Sequence, residues 1–387
     1  MLLAQRMSRL GTETAFEMLA KARALEAQGR SIIHLEIGEP DFDTPAHIRE
    51  AAKRALDEGY THYGPAAGLP ELRQMIAEKS GALRGLELAP EMVVVTPGAK
   101  PIMFFVILAT AGEGDEVIYP NPGFPIYESV IKFVGAKPVP LPLREEKGFS
   151  FDPEELVELI SPRTKLIILN SPQNPTGGAL SRHDLEVVAE AAKRHGVWVL
   201  ADEVYNAMQY EGTFQSIASL PGMCEQTIIL DGFSKTYAMT GWRLGYGIMP
   251  PRLAEHITRL AINCNSCTST FSQRACLAAL DGPQDEVKAM VAAFRERRDA
   301  IVTGLNEIEG VSCLKPKGAF YVFPNIKGTG KSSAWLENYL LNEAGVACLS
   351  GTAFGKFGEG YLRLSYAASR EKINQALANI DEALRKL

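Results

Sequence analysis

In "ILDGFSKTYAMTGWRLGYGIM", Ile229 to Met249, an apolar run ends at Gly232, and Lys235 follows among small, hydroxyl and aromatic side chains. Taken alone, a lysine in such a place is a surface charge. An amine becomes a nucleophile, or joins a carbonyl as a Schiff base, when its surroundings lower its pKa and hold it beside the electrophile. Ser234 and Arg243 flank Lys235, and a hydroxyl and a guanidinium near one amine suit an anion, most simply a phosphate. Asp202 in "VLADEVY" closes another apolar run, where a carboxylate is costly unless a partner meets it; a turn cap is the plainer reading. "TPGAKPI" would present backbone amides at a helix start, a ready anion site that Pro101 in the first turn does not spoil. Arg363 in "YLRLSYA" offers a planar fork that holds a carboxylate through two parallel hydrogen bonds, as an α-amino or α-keto acid requires.

These residues need a scaffold that gathers them. From about residue 90 to 250, apolar runs alternate with helix-like segments: "MVVVT", "DEVIYP", "TKLIILNSP", "VWVLADE", "TIILDGFSK" and "LGYGIM". Runs apolar throughout, with no polar alternation, indicate strands buried on both faces of a mainly parallel sheet. The fold class is α/β, with helices on each side. Ligands in such sheets bind at the carboxyl ends of the strands, and the clusters "TPGAK", "PNPGF", "NSPQNPTG", "ADEVY" and "DGFSK" all follow apolar runs. From about Pro283 the pattern changes to a long charged helix, the short runs "AFYVFPNI", "GVACLSG" and "GYLRLSYAAS", and a final helix. Two domains are expected: a large one over 45–285, and a smaller α+β one built from 1–44 and 286–387.

The motifs "NSPQNPTG", "DEVY", "SKTYAMTGWRLGY" and "RLSY", which follow "GEPDFDTP" at Gly38 along the chain in the family's order and nearly end to end, resemble the class I aminotransferases among the fold-type-I pyridoxal-phosphate enzymes, the aspartate aminotransferase superfamily. The resemblance implies a large domain with a mainly parallel, seven-stranded type of sheet beside a smaller domain, and pyridoxal 5'-phosphate as cofactor. It implies that Lys235 carries the cofactor as an internal aldimine and later shuttles the α-proton. Asp202 would keep the ring nitrogen protonated, and Tyr205 and Asn174 would reach the ring hydroxyl. Ser234, Arg243, Gly98, Ala99 and Lys100 would hold the phosphate, and Phe124 would stack on the ring. Arg363 would bind the substrate carboxylate, with Gly38 and Asn174 beside it. Tyr63 matches a tyrosine that reaches the phosphate in the other subunit, which implies a homodimer. Plainer readings stand beside several of these: a turn former for Asn174, a core aromatic for Phe124, a packing residue for Tyr63.

The expected activity is transfer of an amino group from an α-amino acid to an α-keto acid. A lyase or synthase acting by β/γ-elimination, cyclisation or carbon–carbon chemistry on the same scaffold is the alternative, because fold does not fix function; "CTSTFSQ", Pro101 and Phe124 depart from the family pattern. A non-catalytic sensor is a third class, disfavoured because Lys235, Asp202 and Arg363 are all present and no basic helix-turn-helix segment is seen. The net charge of −6 lacks the basic surface that nucleic-acid binding needs. Hydrophobic residues at 46% and charged ones at 22% suit a folded soluble chain rather than a disordered one. No apolar stretch approaches the ~20 residues that span a bilayer. The N-terminus lacks a signal-peptide core, and six cysteines in 387 residues are too sparse for a disulfide framework. A cytoplasmic protein is the expectation. "CNSC", Cys264 to Cys267, lacks a second ligand pair for zinc and reads as a helix-to-loop stretch near the site entrance. "GTGKSS" has Asn325 where a P-loop needs its first glycine. No metal is expected.

Overall fold

The computed structural model describes residues 3–387. After the short β1 (Ile33–His34), seven strands form the central sheet: β2 (Val93–Thr96), β3 (Glu116–Asn121), β4 (Lys137–Pro142), β5 (Thr164–Asn170), β6 (Trp198–Asp202), β7 (Thr227–Gly232) and β8 (Gly245–Ile248). Their order is β2-β8-β7-β6-β5-β3-β4, and β8 runs antiparallel to both of its neighbours while the other pairs are parallel.

The unbroken apolar character of these strands follows from cover on both faces. Alternate residues Leu166, Ile168, Leu200 and Leu230 pack under the helices Lys100–Thr110, Ile126–Phe133 and Pro251–Asn265. Their neighbours Ile167, Leu169, Val199 and Ala201 pack on the opposite face against the helix Arg182–His195. Six of the strands coincide with the apolar runs of the sequence. The exception, β4, carries Pro138, Pro140 and Pro142 and shows no strand signal. It lies at the sheet edge, where a missing N–H leaves no ladder bond broken.

The second part of the fold holds an antiparallel sheet, β11-β12-β9, made of β9 (Tyr321–Val322), β11 (Leu349–Ser350) and β12 (Leu362–Ser365). β10 (Val346–Ala347) pairs in parallel with β1, which carries the N-terminal segment onto this part. The helices Asp285–Glu307 and Arg370–Leu384 cover it through Phe294, Ile301, Ile373 and Ile380. Among the described residues, no helix is long and apolar enough to cross a membrane.

Candidate active site

The carboxyl ends of the parallel strands open into a cavity of about 570 Å³. β7 ends at Gly232 and a single helical turn, Phe233–Thr236, lifts Lys235 into this cavity. Its ammonium donates to the Gly38 carbonyl at 2.6 Å. Burial lowers the lysine pKa from 10.5 to about 8; Glu39 opposes this, and the charges of Arg363 and Arg243 add to it. The amine is therefore far closer to its neutral, nucleophilic form at physiological pH than an exposed lysine is.

Asp202 closes β6 and is buried. Tyr127 donates to its Oδ2, and no basic side chain among the described residues lies within ion-pair distance of it. Burial raises its pKa to about 6; the bonds from Tyr127 and the Val204 amide pull it down, while Asp231 and Glu203 push it up. A buried carboxylate so placed calls for a cation.

On another wall, Arg243 sits in the left-handed region, φ 53°, and its Nη1 donates to the Thr240 carbonyl at 2.7 Å. It has carbonyl contacts and, among the described residues, no carboxylate partner, so its charge is open to an anion. A Cβ on Gly98 would lie 2.2 Å from Arg243 Nη2, and one on Gly245 would lie 2.3 Å from the Ala99 nitrogen. Glycine at both positions lets the arginine, the loop 97–99 and the start of the helix Lys100–Thr110 close on one another. Gly245→Ala is expected to cost about 1–3 kcal/mol through this clash, read as a lower urea midpoint of unfolding.

Arg363 lies on β12 and is buried between the rings of Tyr321 and Phe354, 4.6 and 5.0 Å from their centroids. Its Nη2 donates to the Glu36 carbonyl and its Nη1 to Asn174 Oδ1 at 3.3 Å. Its Nε is buried without a partner among the described residues. A buried guanidinium with an orphaned donor, on a residue that lines the cavity, suits a carboxylate.

A model of the family described as aminotransferase class I and II matches residues 30–380. The chain belongs to this family. It is 43% identical to the aspartate aminotransferase of Pyrococcus horikoshii, covering 95% of this chain and 93% of that one. It is 42% identical to aromatic-amino-acid aminotransferase 2 of Thermococcus litoralis, covering 93% and 94%. The crystal structure of the aspartate aminotransferase from Rhizobium meliloti superposes with a TM-score of 0.96 at 38% identity, covering all of both chains. The chain is thus a pyridoxal-phosphate-dependent aminotransferase of fold type I, acting on amino and keto acids, and the lyase and synthase alternatives give way.

The residues of this aminotransferase fit the cofactor. Asp202 is a buried carboxylate that suits a cation such as a protonated ring nitrogen, Arg243 is placed for a phosphate, and Lys235 lines the same cavity as an amine of lowered pKa. The cavity is lined by Gly38, Ala99, Lys100, Phe124, Asn174, Asp202, Tyr205, Ser234, Lys235, Arg243 and Arg363, all anticipated from the sequence. Gly98 stands behind the wall, against Arg243. Lys100 pairs with Glu13 and lies 5.4 Å over the Phe124 ring. Tyr63 lies outside the cavity and is 89% exposed in the single chain. Its loop is pinned by Thr270, whose hydroxyl donates to the Tyr60 and His62 carbonyls. Cys264 and Cys267 lie at the end of the helix Pro251–Asn265 and in its following turn, a helix-to-loop stretch, and are not among the residues that line the cavity.

Sequence reasoning missed Tyr127, Asn170, Tyr321 and Glu13. Tyr127 stands three residues after Phe124, one helical turn on, which is the only signal it gives. Asn170 ends an apolar run as Asp202 does. Its Nδ2 donates to the Asp202 carbonyl and its Oδ1 accepts from the Asn174 amide, so it ties the two strand ends together.

Proposed function

We propose that this aminotransferase works with Lys235 as covalent anchor and proton carrier. The observation that carries the reading is the position of Lys235: its lowered-pKa amine lies in one cavity with an unpaired buried carboxylate, a free arginine and a second arginine holding a spare donor. Bound there, pyridoxal phosphate supplies an electron sink for the substrate α-carbon. Arg243, Ser234 and the Gly98–Lys100 loop would hold the phosphate, and Asp202 would keep the ring nitrogen protonated. Tyr205 and Asn174 address the ring hydroxyl, and Phe124 covers the ring. Arg363 would clamp the α-carboxylate against Gly38 and Asn174, and the Lys235 amine would move the α-proton.

The division into a large domain, 45–285, and a small one, 1–44 with 286–387, is supported by the β1–β10 pairing and by the separate cores of the two parts. The exposed, pinned Tyr63 supports a homodimer in which it completes the partner's phosphate site. Free cysteines suit a cytoplasmic setting. The aspartate and aromatic relatives, together with Lys100, Phe124 and Phe354 around the cavity, support acidic and aromatic donors.

The test is incubation of the cofactor-loaded protein with single amino acids and no keto acid. One equivalent of cofactor converted to its amine form supports the reading, and continuous ammonia release defeats it. A panel of donors then sets the side-chain range. Arg363→Leu is expected to raise KM for the amino acid about 10- to 100-fold, the worth of a charge-assisted hydrogen-bonded pair, with a smaller change in kcat. An unchanged KM would remove Arg363 from the substrate site.

A further inference from the structure

Two phenols meet across the cleft. Tyr205 follows β6 in the large sheet, and Tyr321 opens β9 in the second part of the fold. Both are buried, and their hydroxyls lie 2.9 Å apart. Tyr321 also carries the Arg363 guanidinium on its ring, at 4.6 Å. Its hydroxyl fills the space over Gly38, where a Cβ would come within 2.0 Å of it. Gly38 in turn accepts from Lys235. One side chain thus touches three elements of the site while belonging to none of the roles assigned above.

We propose that Tyr321 is a positioning residue that acts through Tyr205: its hydroxyl orients and polarises the Tyr205 phenol, so that the second part of the fold must be seated for Tyr205 to donate at full strength. This rests on the reading that Tyr205 addresses the cofactor's ring hydroxyl. The physical reason is that a phenol has one proton. When Tyr205 gives its proton to the ring oxygen, its own oxygen is an acceptor, and Tyr321 is the donor placed to fill it. A donor that itself accepts a hydrogen bond is strengthened by roughly 10–30%. Burial holds both phenols protonated, since it raises the pKa of each. The charged groups facing the pair are Asp202 and Arg363 around Tyr205, and Arg363 and Glu13 around Tyr321.

The experiment is a spectrophotometric pH titration of the cofactor-loaded protein, reading the visible absorbance of the lysine-bound cofactor in wild type, Tyr321→Phe, Tyr205→Phe and the double variant. Phenylalanine keeps the ring over Arg363, so packing is preserved and only the hydroxyl is removed. A hydrogen bond to the ring oxygen favours its ionised form, so weakening that bond raises the midpoint of the titration. Tyr205→Phe is expected to raise it by about half a unit to one unit, the worth of one hydrogen bond, and Tyr321→Phe by about 0.1–0.3 unit in the same direction, 10–30% of that. In the Tyr205→Phe background, loss of the Tyr321 hydroxyl is expected to add nothing, because its route of action is gone. No shift in Tyr321→Phe, a downward one, or an equal shift in both backgrounds overturns the inference while leaving the Tyr205 assignment standing. No shift in Tyr205→Phe overturns both.

Discussion

Lys235→Ala is expected to lower turnover at least about 10⁴-fold, combining loss of a proton carrier and of the covalent anchor, while the variant folds and still takes up the cofactor. The side chain makes one hydrogen bond, to the Gly38 carbonyl, and lies on a single helical turn whose packing residue is Phe233. Truncation leaves Phe233 in place, and Ser234 and Arg243 on the cavity wall. The cofactor therefore binds without a covalent bond, and borohydride no longer fixes it to the chain. Adding a small primary amine is expected to recover part of the rate, since an amine of suitable size enters the vacated space. Turnover within tenfold of wild type would show that another group moves the α-proton.

The lowered pKa sets how cofactor attachment to the wild-type chain depends on pH. A free amine at about 8 gains its neutral form as pH rises through that value, so cofactor attachment to the cofactor-free protein is expected to accelerate from pH 7 to 9 and then level. The same rise in an exposed lysine would come about two units later. The rate of colour development on mixing with pyridoxal phosphate reads this directly.

Much of this site is legible in the sequence because it is built at strand ends. An apolar run buried on both faces has one kind of signal, and the polar residues that stop or closely follow it mark the carboxyl edge of the sheet; Asp202 stops its run, and Asn174 and Lys235 follow theirs within four residues. What the sequence hides is reach across the fold. Arg84, the last residue of the helix Pro70–Arg84, is buried and bonds both Glu203 and Asp231, which lie within the strand-end motifs "ADEVY" and "DGFSK". Nothing in "SGALRG" announces an arginine that ties β6 to β7. Tyr127 is hidden for the same reason: its neighbour in sequence is Phe124, but its hydroxyl meets Asp202 from another strand. Tyr321 sits in an apolar run that reads as plain core, and only the docking of the second sheet turns its hydroxyl toward Tyr205. The prolines of β4 erase a strand that edge placement permits.

Asp202→Asn is expected to lower kcat about 10²- to 10³-fold, the range for removal of one preorganised electrostatic partner, and to stabilise the cofactor-free protein. Both effects come from the same burial. In the folded cofactor-free chain the carboxyl titrates near 6, against 3.8 for an ordinary aspartate. The folded state thus holds its proton more tightly than the unfolded state does. Stability from this group is fullest below about pH 4 and falls as pH rises to about 6, where the cost levels at roughly 3 kcal/mol. Asparagine carries no charge and keeps an acceptor for Tyr127, so the variant lacks this slope and gains up to that amount at pH 7. The cofactor reverses the comparison: a protonated ring nitrogen beside Asp202 offsets the buried charge in wild type, and asparagine has nothing to give it. Cofactor binding should therefore raise the urea midpoint of wild type much more than that of Asp202→Asn, and the gap should shrink as pH is lowered from 7 toward 4. Equal cofactor stabilisation in the two proteins at pH 7 would separate Asp202 from the ring nitrogen.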